Sequence, residues 1–282
     1  LDVDGGTIKL GGNYPGGTKN VALGDTALDA VQSGAENNVA VGASALSSVT
    51  TGNDNTAVGN FSLASTTGSQ NTGVGQQALR FNTSGQYNTA QGYRALFSNT
   101  SSSDNTAVGY QALYSMSSTG DANKSTAVGY QAGYTSTHNV DAFGAQALYN
   151  NTTGILSVAM GREALYSNTT GSYNIAIGYQ AGFFITTGSK NSILGRYNGN
   201  QGGLDIRTSS NNIVLSDGDG NPRISVNSVG EVSSNGTANN AVTYRGKNTN
   251  GSYGSVGIMS DITRTSSNGN YFHFAAYDRA GS

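Results

Sequence analysis

Cleaving a glycosidic bond needs two carboxylates held on either side of it, so the acidic residues come first. The chain has three glutamates, Glu36, Glu163 and Glu231. Its aspartates, such as Asp54, Asp104 and Asp121, fall in Ser/Thr/Asn/Gly-rich stretches, where Asp is a common turn residue. No local carboxylate pair stands out, and the chain is read as a non-enzyme. The segment DGDGN at Asp217–Asn221 begins like a calcium loop. An EF-hand would need an acidic residue eleven positions on, and Ser228 stands there, so the segment is read as a β-turn. GYQAG lacks a phosphate-loop lysine. His138 and His273 could each gather as symmetry copies around a metal if the chain self-associates, but are read as packed or solvated. No metal or cofactor is expected. Tyrosines recur after the VG or IG pair (Tyr110, Tyr130, Tyr179) and after AL (Tyr114, Tyr149, Tyr166). They are read as cross-coil packing, with Tyr110, Tyr114, Tyr130, Tyr166 and Tyr179 kept as candidate glycan contacts.

Composition narrows the class. Gly makes up 41 of 282 residues and charged residues 11%, against usual shares of ~7% and ~25%. A net charge of −2 with 16 Tyr and 8 Phe argues against disorder, which goes with high charge and few aromatics. Near-neutrality with scattered basic residues argues against nucleic acid. No apolar run approaches the ~20 residues that span a bilayer, so membrane insertion is not expected. The absence of cysteine removes disulfide staples without fixing a compartment. The opening LDVDGGTIKL has no initiator Met and no signal pattern, so the chain is read as a fragment or processed piece.

The dominant feature is repetition. NTAVGYQALYS at Asn105–Ser115 returns as STAVGYQAGYT at Ser125–Thr135 and NIAIGYQAGFF at Asn174–Phe184. The glycine of this motif recurs eleven times. Ten steps cover the 171 residues from Gly24 to Gly195, about 17 each. An AL-type pair follows most of these glycines. The density of β-branched residues, Asn and Gly disfavours helix, and 17 residues are too few for a helical solenoid repeat. Each unit is read as one coil of a parallel β-solenoid: a strand, a glycine bend, a second strand and a turn. Coils would stack at ~4.8 Å, giving a rod segment of roughly 50 Å, and like residues, Asn among them, could form ladders along the axis.

Parity adds an inference about assembly. Ala107 and Val108 are adjacent and both apolar, as are Ala112 and Leu113, so both faces of the strands should be buried. The alanines suit the inside of a thin roll. The larger row, Val41, Leu46, Val58, Val108, Leu113, Val128, Leu148, Leu165 and Ile177, needs another cover, and copies of the chain in a closed cyclic oligomer would supply it. A fatter single-chain solenoid holding both sets inside is the alternative.

These units resemble the head repeats of trimeric autotransporter adhesins, with their AxG core. They are still more similar to repeat arrays of bacteriophage tail fibres that continue into an endosialidase-type intramolecular chaperone. NNIVLSDGDGNPRI at Asn211–Ile224 and DITRTSSNGNYFHFAAYDRAGS at Asp261–Ser282 look like the stretch before that chaperone, which is absent here. The resemblance implies a homotrimer in a virion tail fibre, acting in host attachment. Its partners would be itself, other tail-fibre or virion proteins and a host-surface receptor, with glycan a candidate. A bacterial surface adhesin head is the alternative, and a glycan-cleaving spike a third reading. The fold expected is all-β: a trimeric parallel β-solenoid of about eleven coils followed by a small C-terminal β module. Residues 1–19 are read as a lead-in or cap, 20–198 as the solenoid, 199–230 as a connecting β-hairpin segment and 231–282 as the terminal module.

Overall fold

A computed structural model of the 282-residue chain describes residues 8–9, 19–32, 34–117 and 123–234. Most of the lead-in, Asp121 and the C-terminal module beyond residue 234, His273 included, lie outside the described residues.

All described elements are β-strands, and most are three or four residues long. In chain order they are β1 (Ile8–Lys9), β2 (Val21–Leu23), β3 (Val39–Val41), β4 (Thr56–Val58), β5 (Thr72–Val74), β6 (Thr89–Gln91), β7 (Thr106–Val108), β8 (Thr126–Val128), β9 (Val140–Phe143), β10 (Ser157–Met160), β11 (Ile175–Ile177) and β12 (Ser192–Leu194). The small hairpin β13 (Asn200–Gln201) and β14 (Leu204–Asp205) follows, then β15 (Ile213–Ser216), β16 (Pro222–Val226) and β17 (Val232–Ser234). From β2 to β12 and on to β15, each strand pairs in parallel with the next, one coil later. This is the parallel β-solenoid that the repeat implies. The ladder does not stop at Asn198. The β13–β14 hairpin is inserted and β15 resumes the stack, with Ile193 opposite Val214. The expected hairpin at Ile213–Val226 is also present, because β15 pairs antiparallel with β16.

Register puts like on like. Ala107 pairs with Ala90 on one side and Ala127 on the other, and all three are fully buried. The glycine after this strand is fixed by its neighbour in the next coil. Gly109 has φ +135°, and a Cβ there would come within 2.7 Å of the carbonyl carbon of Gly129.

The AL pair does not form a second strand, and here the parity inference fails in part. Leu46, Leu113, Leu148 and Leu165 are fully buried inside their own coils, beside the equally buried Ala112. The cause is backbone conformation. Leu113 sits at φ 48° and Gln111 at φ 53°, in the left-handed region. Alternation holds for extended chain only, so two successive side chains here point inward. Each such residue costs on the order of 1–3 kcal/mol and persists where surroundings over-determine it. Inter-coil hydrogen bonds do this: Leu113 N–H donates to Ala132 O at 2.9 Å and Gln131 N–H to Tyr110 O at 2.8 Å. Where the leucine is replaced by glycine, Gly133 and Gly182 keep φ near 61–64°.

The core is not wholly apolar. Asn38, Asn55, Asn71, Asn88 and Asn105 are buried in one column. Each Oδ1 accepts the backbone N–H one coil on; the bond from Ser125 N to Asn105 Oδ1 is 2.9 Å. Serine serves the same role at Ser125 and Ser157, whose Oγ accepts from Val140 N and Asn174 N. Buried polar groups are tolerated because they are paired in this way.

Candidate functional site

Two surfaces of the solenoid carry rows of side chains that the coil does not bury. The first is the outer face of the strand ladder. Its register runs from Leu23 through Val41, Val58 and Val74. After Gln91, the one polar member, it continues through Val108, Val128 and Phe143 and on to Met160, Ile177, Leu194 and Leu215. Val58, Val128 and Ile177 are 37–38% exposed and Leu194 53%. Val41 and Val108 are half-buried. So of the residues expected on the outer row, Val41, Val58, Val108, Val128 and Ile177 are there, and the four leucines are interior.

The β16–β17 ribbon extends this face and inverts the usual pattern. Val214 points into the last coil and is fully buried. Ser225 pairs with Val214, and Ser233 with Ser225, so the ribbon continues the inner side with serines. Ile224 pairs with Leu215, and Val226 with both Ile213 and Val232, so its apolar side chains lie on the outer face. Ile224 is 43% exposed. The apolar side of the ribbon is the one turned away from the coil.

The second surface is aromatic. Phe97, Tyr114, Tyr134, Tyr149, Tyr166 and Phe183 form one stack, with centroids 5.0–5.2 Å apart and planes within 14°. Burial and the neighbouring phenols Tyr114 and Tyr149 push the Tyr134 hydroxyl above its ordinary pKa. Tyr93, Tyr110 and Tyr130 form a second stack at 5.2 and 5.4 Å. Tyr179 is flanked by the guanidinium groups of Arg196 at 5.2 Å and Arg162 at 6.0 Å. Packing along the axis is therefore what these rings do. Neighbours cover the ring faces of Tyr110, Tyr114 and Tyr166 on both sides, which leaves edges and hydroxyls for any glycan.

Between the two stacks runs a row that the sequence reading passed over. Gln131 Nε2 donates to Gln111 Oε1 at 2.9 Å, and Gln146 Nε2 to Gln131 Oε1 at 3.4 Å. Arg94 belongs to the same row and lies 5.0 Å from the Tyr93 ring and 5.1 Å from the Phe97 ring. Its double contact places the row between the aromatic walls. Farther along the row, Glu163 accepts from Gln180 Nε2 at 2.7 Å. This bond, with help from Arg162, holds the Glu163 carboxyl below its usual pKa. The signal was legible: Gln recurs two residues after the motif glycine at 77, 111, 131, 146 and 180.

The remaining candidates resolve locally. Asp217–Asn221 is a closed turn, with Gly220 N–H donating to Asp217 O at 3.1 Å. Asp217 Oδ1 accepts from the Asp219 and Asn221 amides, and Oδ2 binds Arg223. Asn221 first, then Arg223, bring the Asp217 pKa down to about 2. His138 Nδ1 is 2.8 Å from Thr137 Oγ1.

Comparison with protein families, curated proteins and solved structures finds no match for this chain.

Proposed function

We propose that this chain is a structural and adhesive segment of a homotrimeric phage tail fibre, whose solenoids are held together by the outer face of the strand ladder and which contributes to attachment at a host surface. The observation that carries the assembly is the inverted β16–β17 ribbon, with serines toward the coil and Ile224, Val226 and Val232 away from it. A partner against that side gives those residues the cover that the chain itself does not supply.

Magnitudes favour long contact over local contact. Fully burying a Val or Ile is worth about 1.5–3 kcal/mol, so covering a side chain already more than half buried adds about 1 kcal/mol. One coil could not meet an association cost of roughly 4–15 kcal/mol, whereas eleven apolar rungs in register reach the order of 10 kcal/mol, before the ribbon is added. Three subunits follow from the resemblance of the repeats, and so do the virion setting and host attachment. A bacterial surface adhesin head shares this architecture and remains the second reading.

Replacing Val108 by Asp tests the interface against Tyr110→Ser, which alters the aromatic stack instead. In unheated detergent gels the wild type and Tyr110→Ser should run as oligomers and Val108→Asp as a monomer. Equal behaviour of the two variants, or a monomeric wild type, would refute the assignment.

A further inference from the structure

We infer that the glutamine row between the two tyrosine stacks is a binding strip for an extended, neutral polysaccharide lying along the solenoid axis. This rests on the adhesive reading above and assigns it a place and a ligand class.

The strip offers unused hydrogen-bonding capacity at regular steps. A side-chain amide has two N–H donors and an oxygen with two lone pairs. Gln131 spends one N–H on Gln111 and one lone pair on Gln146, which leaves one donor and one acceptor. The three amides are half-buried, so a partner there replaces few waters and meets a reduced dielectric. A sugar hydroxyl both donates and accepts, and vicinal hydroxyls match an amide edge.

The walls fit the same partner. Tyr130 stacks on Tyr110 with one face only; Tyr110 on one side, and Tyr114, Tyr134 and Tyr149 on the other, have both faces engaged in stacking. What they turn outward is ring edge and phenolic hydroxyl, a surface for apolar C–H groups and further hydroxyls rather than for one sugar ring laid flat. The step is set by the coil: successive rings lie 5.0–5.4 Å apart, which is commensurate with one residue of an extended, equatorially linked hexopyranose chain. Alternate residues of such a chain are turned over, so a repeating polymer can meet the same contacts at every second coil, and weak contacts accumulate. Charge selects the neutral class. Between Arg94 and Arg162 no charged side chain stands in the three rows, and Arg162 is paired with Glu163 at 3.0 Å.

The test uses the full chain with β-1,4-linked hexamers of glucose, mannose and N-acetylglucosamine, their monosaccharides, and polygalacturonate as the anionic control. Binding is read by calorimetry, and sedimentation mass is read on the same sample. At least one neutral hexamer should bind, with affinity that rises with chain length. Gln131→Leu should weaken it tenfold or more. The double variant Tyr134→Phe, Tyr149→Phe keeps the stack, since Phe97 and Phe183 already occupy that row, and should weaken binding severalfold through lost hydroxyls alone. No binding of any neutral hexamer, binding of polygalacturonate only, or binding indifferent to both variants overturns the strip. If the sample is a trimer in such a case, the fibre reading stands while the strip falls. A monomer that binds a hexamer through these residues sinks the fibre reading and keeps the strip.

Discussion

Gly109 and Gly129 stand in contact across adjacent coils: a Cβ on Gly109 would lie 2.7 Å from the carbonyl carbon of Gly129. Backbone cannot yield there without opening the ladder. Gly109→Ala should therefore lower the thermal midpoint sharply, with a cost of several kcal/mol from steric strain and lost inter-coil bonds. Gly133→Ala should cost far less. Its φ of 61° is one that Leu113 and Leu148 adopt in the same row, and its nearest neighbour is the flexible end of Leu113. Equal destabilisation of the two variants, by calorimetric scans, would contradict the packing described.

The asparagine column should behave as a chain of single bonds. Asn105→Ala leaves the Ser125 N–H without the acceptor it now has at 2.9 Å. An unsatisfied buried donor costs about 1–3 kcal/mol. Asn105→Ser should cost less, because serine oxygens already accept the next coil's amide at Ser125 and Ser157. Hydrogen exchange at the Ser125 amide is the readout.

A second column is interrupted, and the interruption can be repaired. Asn99 Nδ2 donates to Asn82 Oδ1 at 2.9 Å, but Asn99 Oδ1 has no partner. The corresponding residue of the following coil is Met116, fully buried, which offers no donor. Met116→Asn would supply one to Asn99 and present an acceptor toward Ser136. It should be more stable than Met116→Ala in denaturant titration, although both remove the methionine's apolar volume. The reverse order would mean that the column contributes nothing.

Acid should loosen the β15–β16 turn at a known point. Asp217 has a folded pKa of about 2, below its ordinary 3.8. A depressed carboxylate stabilises the fold above the ordinary value and loses that contribution as pH falls toward the folded one. Protection of the Asp219 and Asn221 amides should thus decline between about pH 4 and pH 2 in the wild type. In Asp217→Asn that pH dependence should vanish. A wild-type carboxyl titrating near 4 by NMR would contradict the geometry.

The repeat made the solenoid legible because each coil must match its neighbours, so period, glycine and Ala–Val strand are written eleven times in nearly the same words. Leu113 was misplaced because alternation presumes extended backbone, and only a left-handed corner lets Ala112 and Leu113 point the same way. The twelfth rung at β15 was hidden by the β13–β14 insertion, which stretches the step from Asn191 to Asn212 to 21 residues. Gln111, Gln131 and Gln146 were visible as a recurrence, but that the row runs between two aromatic stacks as far as Gln131, the second stack ending at Tyr130, emerges only when coils are wound.

Sedimentation equilibrium of the full chain tests the central claim most directly, because in the proposed assembly sister subunits cover the outer row from Leu23 to Leu215. The expected mass is three times the 28.8 kDa of one chain, collapsing to one chain mass in Val108→Asp. A wild-type chain that sediments as a stable 28.8 kDa monomer, with its outer valines open to water, would contradict the account.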